Sequence, residues 1–256
     1  MANHIQILPI HNSSSRGTPD PTDSIENGSF EKYFKSWNTI GDTSIETRHL
    51  GIFPTDGKHQ ALITTGYSDA GGSVTDSDLE EFLDLAPGSL DKLAGNHAFA
   101  FEGSVIKQTF DLKAGDVVSF DWNFLTNEAT PDPTFNDTAF LSVNGFTFEL
   151  ADTGSHFVNA HKVHDFKEQT GTKTLRFSVA KAGTYTMGFG VVDVGDANVD
   201  SGLVIDDVVV HSPGPGSPEP NLSFGEGGFT SADSTLTPDP RPGLHLGNNG
   251  FEIVQY

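Results

Sequence analysis

Apolar and polar residues alternate along most of the middle of the chain, in short runs separated by glycine and asparagine. Alternation with a period of two is typical of strands that bury one face. The clearest run is residues 117–125, where the apolar positions on one face are Val118, Phe120, Trp122 and Phe124. The pair Asn144-Gly145 adds a strong hairpin signal. The pattern predicts roughly eight to ten strands, which include residues 43–50, 60–65, 104–112, 117–125, 139–143, 146–150, 172–179, 184–194 and 202–210.

One segment, residues 75–85, departs from the alternation. Thr75 is a good N-cap, acidic residues follow in the first turn, and Leu79, Phe82 and Leu83 fall on one side at helical spacing. We therefore expect a short amphipathic helix that ends before Pro87-Gly88 and covers one edge or end of a sheet. The predicted fold is all-β: an antiparallel β-sandwich of the jelly-roll type, with one inserted helix and extended N- and C-terminal segments.

Composition shifts predict three parts. Residues 1–26 form an arm or linker, since residues 11–26 are polar and without period. The apolar run at residues 5–10 predicts a strand, either on its own domain or on a neighbour. Residues 27–211 form the sandwich, and residues 212–256 form a Pro/Gly linker and a Gly-rich tail. The start lacks the features of a secretory signal, which leaves a removed signal, another export route, or an internal protein.

The charge and the missing cysteines exclude several classes. There are 14 Lys+Arg against 35 Asp+Glu, a net charge of −21, which argues against binding of nucleic acid or anionic lipid. Without cysteine there is no disulfide, thiolate zinc site or cysteine nucleophile. No apolar run approaches the ~20 residues of a membrane-spanning helix. The acidity fits either solubility alone or an extracellular protein that binds divalent cations.

No motif of a known catalytic type is present in the sequence: neither a Gly-x-Ser-x-Gly elbow, nor His-Glu-x-x-His, nor a phosphate-binding loop. His156, His161 and His164 match no metal-ligand spacing, and we interpret them as surface residues. We therefore expect no enzyme activity.

The two ends of the predicted sandwich carry motifs. Residues 27–31, Asn-Gly-Ser-Phe-Glu, are followed by Trp37, and residues 204–208 read Val-Ile-Asp-Asp-Val. This combination resembles the opening and closing of carbohydrate-binding-module-type, galactose-binding-like jelly rolls, and residues 103–110, 120–128 and 188–194 are similar to a bacterial exported jelly-roll family. The resemblance covers residues 27–211. It implies that the first and last strands lie side by side, and that Glu31 and Asp206 bind a structural calcium with backbone carbonyls. The alternative is that both are ordinary acids at the surface and the strand edge.

A second acidic group spans residues 193–207. The spacing from Asp196 resembles the start of an EF-hand loop, but the required glycine is displaced and a strand follows. A calcium loop of another kind, with Glu128, Asn136 or Asp137, and a solvated acidic loop both remain open. The candidate metal ligands are Glu31, Asp193, Asp196, Asp200, Asp206 and Asp207.

The sequence supports two functions of different classes. The first is a non-catalytic, calcium-stabilised binding module of the cell surface or extracellular space, directed to glycans. The aromatic residues proposed to contact a sugar are Tyr67, Phe135 and Trp37, the last also a candidate for the core. The second is a structural subunit of an extracellular fibre, sheath or particle, assembling by strand addition through residues 1–26 and 221–256.

Overall fold

The structure, a computed structural model, describes residues 5–6 (backbone only), 25–66, 72–93, 99–160 and 166–212. Two antiparallel sheets contain its strands. In chain order, the strands are β1 (Ile5–Gln6), β2 (Asn38–Ile40), β3 (Asp42–Glu46), β4 (Gln60–Thr64), β5 (Val74–Thr75), β6 (Ala100–Leu112), β7 (Val117–Thr126), β8 (Thr138–Val143), β9 (Phe146–Asp152), β10 (Val158–Asn159), β11 (Glu168–Gln169), β12 (Lys173–Val179), β13 (Gly183–Val194) and β14 (Ser201–His211). The helical segments are a 3-10 turn (Arg48–Leu50), α1 (Asp76–Phe82) and α2 (Ser89–Leu93).

The first sheet, called sheet I, has the order β1-β12-β7-β14-β4-β3, with the small β10–β11 pair attached to β7. β14 pairs with β7 along most of its length and with β4 on its other side. The second, sheet II, has the order β2-β6-β13-β8-β9, with β5 beside β6. This arrangement of two antiparallel sheets confirms the predicted β-sandwich.

The core between the sheets consists of the alternating apolar positions identified in the sequence. Phe120 and Trp122 of β7 are almost fully buried, as are Met187 and Phe189 of β13. The Phe120 and Phe189 rings meet edge to face with centroids 4.7 Å apart. Each fully buried side chain of this size contributes about 1.5–3 kcal/mol by removal from water. A few large rings therefore hold together a chain of low hydrophobic content.

The predicted helix is confirmed as α1. The Thr75 hydroxyl accepts a hydrogen bond from the Asp78 amide at 3.3 Å, as expected of an N-cap. Leu79 and Leu83 pack with Leu90 of α2 against the outer face of sheet II. A Cβ on Gly188 would lie 2.6 Å from Leu83 Cδ2, so the absence of a side chain there lets the helix approach the sheet.

The outer face of sheet I is covered by loops. Leu50 and Ile52 pack with Leu62 and Val204 of the sheet, and Phe166 joins this smaller apolar cluster from the loop before β11. The strand predicted at residues 43–50 ends at Glu46, because Thr47 caps a 3-10 turn by accepting a hydrogen bond from the His49 amide.

Of the strand predicted at residues 5–10, residues 5–6 are present as β1, and residues 7–10 lie outside the described residues. Ile5 and Gln6 pair with Val179 and Ser178 of β12 at one edge of sheet I. The proposed boundaries at residues 26 and 211 stay predictions. None of the helices in the described segments is long and apolar enough to cross a membrane.

Candidate functional site

A cleft opens on the outer face of sheet I, where the strand alternation that buries Phe120 and Phe124 turns the intervening side chains outward. It is shallow, with an enclosed volume of about 10 Å³, room for about one water molecule. The residues that line it are Ile52, Phe53, Thr55, Gln60, Asp121, Trp122, Asn123, Thr172, Val204 and Asp206. The floor comes from strands β4, β7 and β14, and one wall comes from the loop after the 3-10 turn.

Phe53 forms an exposed aromatic rim on this wall. Its side chain is 74% exposed, the highest value among the exposed large hydrophobic residues of the described segments. The wall is held by two polar contacts to the sheet. Gln60 Nε2 donates to the Ile52 carbonyl at 3.0 Å, and the Thr55 amide donates to Asp206 Oδ2 at 2.7 Å. An apolar ring is therefore kept at the edge of a polar floor.

The floor presents carboxylate and amide groups. Asn123 Nδ2 donates to Gln169 Oε1 at 2.8 Å, which orients its amide. Asp121 Oδ1 accepts from the Thr174 hydroxyl at 2.5 Å. An ionised carboxylate accepts up to about four hydrogen bonds, so Asp121 retains acceptor capacity for ligand hydroxyl groups.

Asp206 of the cleft and its neighbour Asp207 both have raised pKa values. Burial raises the pKa of Asp206 to about 7, against the opposing effect of hydrogen bonds from Asp56, Asp207 and Thr55. Burial, together with the charges of Asp121 and Asp56, raises the pKa of Asp207 to about 6. A cationic or hydrogen-donating ligand would relieve part of this cost.

Trp122, which lines the cleft, is covered by Lys173. Lys173 Nζ lies 5.1 Å from the centroid of the Trp122 ring, in the range of a cation–π contact. Burial lowers the pKa of Lys173. The buried Trp122 Nε1 has no hydrogen-bond partner among the described residues.

Glu31 and Asp206 converge on one loop. Glu31 Oε1 accepts from the backbone amides of Lys58 at 2.5 Å and His59 at 2.8 Å. Asp206 Oδ2 accepts from the amides of Thr55 and of Asp56, at 2.7 and 3.0 Å. Residues near the two ends of the predicted domain are therefore joined through residues 55–59.

The N-terminal motif also contacts the last strand directly. The Val208 amide donates to the Gly28 carbonyl at 3.1 Å. A Cβ on Gly28 would lie 1.8 Å from the Val208 carbonyl oxygen, so a side chain at this position is excluded. The proximity of the domain ends that the resemblance implied is thus observed, although residues 27–31 form turns instead of a strand.

The Glu31–Asp206 arrangement offers calcium two carboxylates, and hydrogen-bond donors face one oxygen of each. Carboxylates from both domain ends supply the hard oxygens that calcium requires. Glu31 Oε1 and Asp206 Oδ2 accept from backbone N–H groups, which are not calcium ligands, and Asp206 Oδ2 also accepts from the Thr55 hydroxyl. A calcium ion at these two atoms would have to displace the N–H donors. The connection predicted for an ion is made here by hydrogen bonds.

The six candidate metal ligands fall into two groups. Asp207 belongs with Glu31 and Asp206, because the negative charges of Asp121 and Asp56 contribute to its raised pKa. Asp193, Asp196 and Asp200 lie around the loop between β13 and β14. Within the described segments, no three Asp, Glu or His side chains converge as a ready-made metal site.

The second group includes a buried pair that the sequence analysis only partly anticipated. Asp193 contacts Asp137 of the segment before β8, and burial followed by the mutual contact raises the pKa of Asp193. Burial also raises the pKa of Asp137, against hydrogen bonds from Ser201 and Val194. Asp196 lies at the turn and accepts from the Asn198 amide at 2.9 Å.

Two of the three aromatic ligand candidates, Trp37 and Phe135, lie within the described residues. Trp37 is wrong as a ligand-binding residue: it is 6% exposed, donates from Nε1 to the Asn27 carbonyl, and packs 5.2 Å from the Phe30 ring. Phe135 is half-buried near Gly195, away from the residues that line the cleft. Tyr67 lies outside the described residues.

The rim residue Phe53 was missed by the sequence analysis. Its only signal is its place beside the turn at residues 54–57, where a large apolar residue is unusual. Of the three histidines interpreted as surface residues, His156 is exposed, and His161 and His164 lie outside the described residues.

No protein-family model matches the sequence, and no curated protein matches it. Among solved structures, the chain is similar to the carbohydrate-binding module TmCBM61 in complex with β-1,4-galactotriose. The identity is 14%, with 75% of this chain and 99% of that one covered and a TM-score of 0.38.

Two further similar structures are TmCBM27, a carbohydrate-binding module that recognises mannan, and a cleaved adhesin domain of Lys-gingipain from Porphyromonas gingivalis. TmCBM27 has 12% identity, coverage of 73% and 94%, and a TM-score of 0.35. The adhesin domain has 12% identity, coverage of 75% and 99%, and a TM-score of 0.35. At this level of similarity, the sandwich assignment rests on the strand pairings of the chain itself.

Proposed function

We propose that this protein is a non-catalytic glycan-binding module of the cell surface or extracellular space, and that the cleft on sheet I is its binding site. The observation that carries the proposal is the placement of Phe53. An aromatic ring that is 74% exposed stands beside a floor with Asp121, Asn123 and Asp206.

Sugar chemistry matches this arrangement. A pyranose ring has an apolar face, which packs on an exposed aromatic ring, and a rim of hydroxyl groups, which donate to carboxylates and amides. The cleft encloses only about 10 Å³, far below the ~300–1,000 Å³ typical of small-molecule pockets, so a sugar would lie across its open mouth against Phe53. Direct contact would therefore involve one sugar unit of a longer chain.

Calcium stabilisation is part of the proposal. Glu31, Asp206 and Asp207 supply carboxylates close to the joined ends, and the raised pKa values of Asp206 and Asp207 express the cost of their buried charges. A bound divalent ion would lower that cost. If the melting temperature is the same with excess calcium and with chelator, this part of the proposal is wrong.

The binding claim is tested by a glycan array and by affinity electrophoresis in neutral polysaccharides. The variants are F53A and, as a matched control, F101A, since Phe101 is also exposed but belongs to sheet II. We expect the wild type to bind and F53A to lose about tenfold or more in affinity, about 1.4 kcal/mol, with F101A unchanged. If the wild type binds no glycan, the proposal of glycan binding is wrong. If the affinity of F53A is unchanged, the cleft is not the binding site.

A second candidate function is a structural subunit that assembles by strand addition. The supporting observation is β1, which pairs with the edge of β12 at the end of sheet I. The same pairing between two copies would link them. Analytical ultracentrifugation of the full chain and of a chain without residues 1–26 is the test. Assembly that persists after the deletion, or a monomeric full chain, would contradict it.

A further inference from the structure

A group of acidic side chains lies at the end of the sandwich where β7, β8, β13 and β14 meet. Asp193 is near the end of β13, opposite Glu102 of β6. Asp137 directly precedes β8, and Glu128 follows β7. Asp137 is fully buried, Asp193 is 2% exposed and Glu128 is 8% exposed.

Asp137 accepts hydrogen bonds on both carboxyl oxygens, although burial raises its pKa to about 7. Its Oδ2 accepts from the Ser201 hydroxyl at 2.5 Å, and its Oδ1 accepts from the Val194 amide at 3.1 Å. Ser201 Oγ also lies 2.9 Å from Thr126 Oγ1. Donors on both oxygens favour the charged form of this carboxyl group.

Asp193 completes a carboxyl pair that lacks a positive charge. Its side chain contacts that of Asp137, but the buried Asp193 Oδ1 has no hydrogen-bond partner among the described residues. Two carboxylates in contact repel each other unless a proton or a cation lies between them. An orphaned buried oxygen is costly, by about 1–3 kcal/mol.

Further negative charge surrounds the pair. The negative charges of Asp196 and Glu102 raise the pKa of Asp193, and the charge of Asp196 also raises the pKa of Glu128. A Cβ on Gly66 would lie 3.7 Å from Asp200 Oδ1 and 4.0 Å from Glu102 Oε1, so these carboxylates border the same open space. The positive charge of Lys167 lowers the pKa of Glu128, another member of this group.

We propose that Asp137 and Asp193 bind one hard divalent cation, with calcium as the first candidate, at this end of the sandwich. One proton would cancel one charge of the pair, whereas a divalent cation cancels both. Since calcium takes six to eight oxygens, backbone carbonyls and water complete the coordination. The described segments contain no cluster of three Asp, Glu or His side chains, so the protein would supply two carboxylates to this ion.

This ion would connect the long loop between β7 and β8 to the turn between β13 and β14. It extends the calcium part of the proposed function to a second location. It depends neither on glycan binding nor on an ion at Glu31 and Asp206.

The test is calcium binding to the full chain by isothermal titration calorimetry, with thermal unfolding in calcium and in chelator at neutral pH. The variants are D193N, D137N and the double variant E31Q/D206N, which removes the other predicted site. We expect E31Q/D206N to keep one bound ion and its thermal stabilisation. D193N and D137N should each lose at least tenfold in affinity for that ion.

Two outcomes overturn the proposal. The first is a wild-type chain that does not respond to calcium, together with a D193N variant that is at least as stable as the wild type. In that case the amide replaces a protonated carboxyl group, and the pair shares a proton. The second is E31Q/D206N that folds, by circular dichroism, and binds no ion. The second result can be obtained even if D137N and D193N do not fold. Neither result affects the interpretation of the glycan-binding assay.

Discussion

Glu31 and Asp206 bind neighbouring amides of the same loop: Glu31 Oε1 accepts from the Lys58 amide at 2.5 Å, and Asp206 Oδ2 accepts from the Asp56 amide at 3.0 Å. The two acids differ in their surroundings. Glu31 is exposed, and the amides of Lys58 and His59 lower its pKa, whereas burial raises the pKa of Asp206. One loop is thus joined to the N-terminal motif by an exposed acid and to the last strand by a buried one.

The buried contact should contribute more to stability than the exposed one. D206N places an amide where three donors meet Oδ2, and we expect a loss of about 1–3 kcal/mol, because a buried group is left badly paired. E31Q should cost less than about 1 kcal/mol, since water replaces the lost contact. Urea unfolding in chelator measures both values. Equal costs would contradict the difference in burial.

Gly57 lies between the two acids and should not tolerate a side chain. Its φ is +73°, and a Cβ would lie 2.4 Å from Glu31 Oε1. G57A should destabilise the protein by about 1–2 kcal/mol, since it adds backbone strain and displaces the flexible end of the exposed Glu31 side chain from its contacts. G171A is the matched control: its φ is +75°, and no atom lies within 4 Å of its Cβ position. If both variants lose the same stability in urea, the clash with Glu31 is without effect.

Local signals in the sequence were sufficient to predict most of the strands and the helix α1. Asn144 and Gly145 have φ values of 48° and 81°, the left-handed pair that a tight hairpin needs. Thr75 caps α1 as its residue type predicts. The helix α2 was missed because its five residues span little more than one turn and carry no clear period.

The candidate sites depend on pairings that local patterns do not encode. Asp137 reaches Asp193 because β8 pairs with β13 in a register that places Thr138 opposite Val192. Phe53 becomes a rim only because Gln60 and Asp206 hold its loop over sheet I. Trp37 was a candidate for ligand binding and, more strongly, for the core, and its ring contacts with Phe30 and Phe189 are those of a core residue.

The raised pKa of Asp206 predicts a pH dependence of stability in chelator. An unfolded aspartate titrates near pH ~3.9, and the folded value is about 7. Between these values the native state binds more protons, so the stability contributed by Asp206 is full below about pH 4 and is lost as the pH rises through about 7. The wild type should therefore lose stability relative to D206N over this window, by up to about 1.4 kcal/mol per pH unit. Urea unfolding at several pH values measures the difference, and a difference that does not change with pH would exclude the shift.

The contact between α1 and sheet II provides the last prediction. A Cβ on Gly188 would lie 2.6 Å from Leu83 Cδ2 and 2.9 Å from Ser142 Oγ. G188A should therefore push α1 away from β13 and cost about 1–3 kcal/mol.

The same contact allows a rescue. L83A alone removes a buried side chain and should cost about 2–5 kcal/mol, but it also vacates the space that the new methyl group needs. The double variant should lose less stability than the sum of the losses of the two single variants, by about 0.5 kcal/mol or more. Additive costs in urea unfolding would show that Leu83 is not what excludes a side chain at Gly188, and would move the explanation to Ser142.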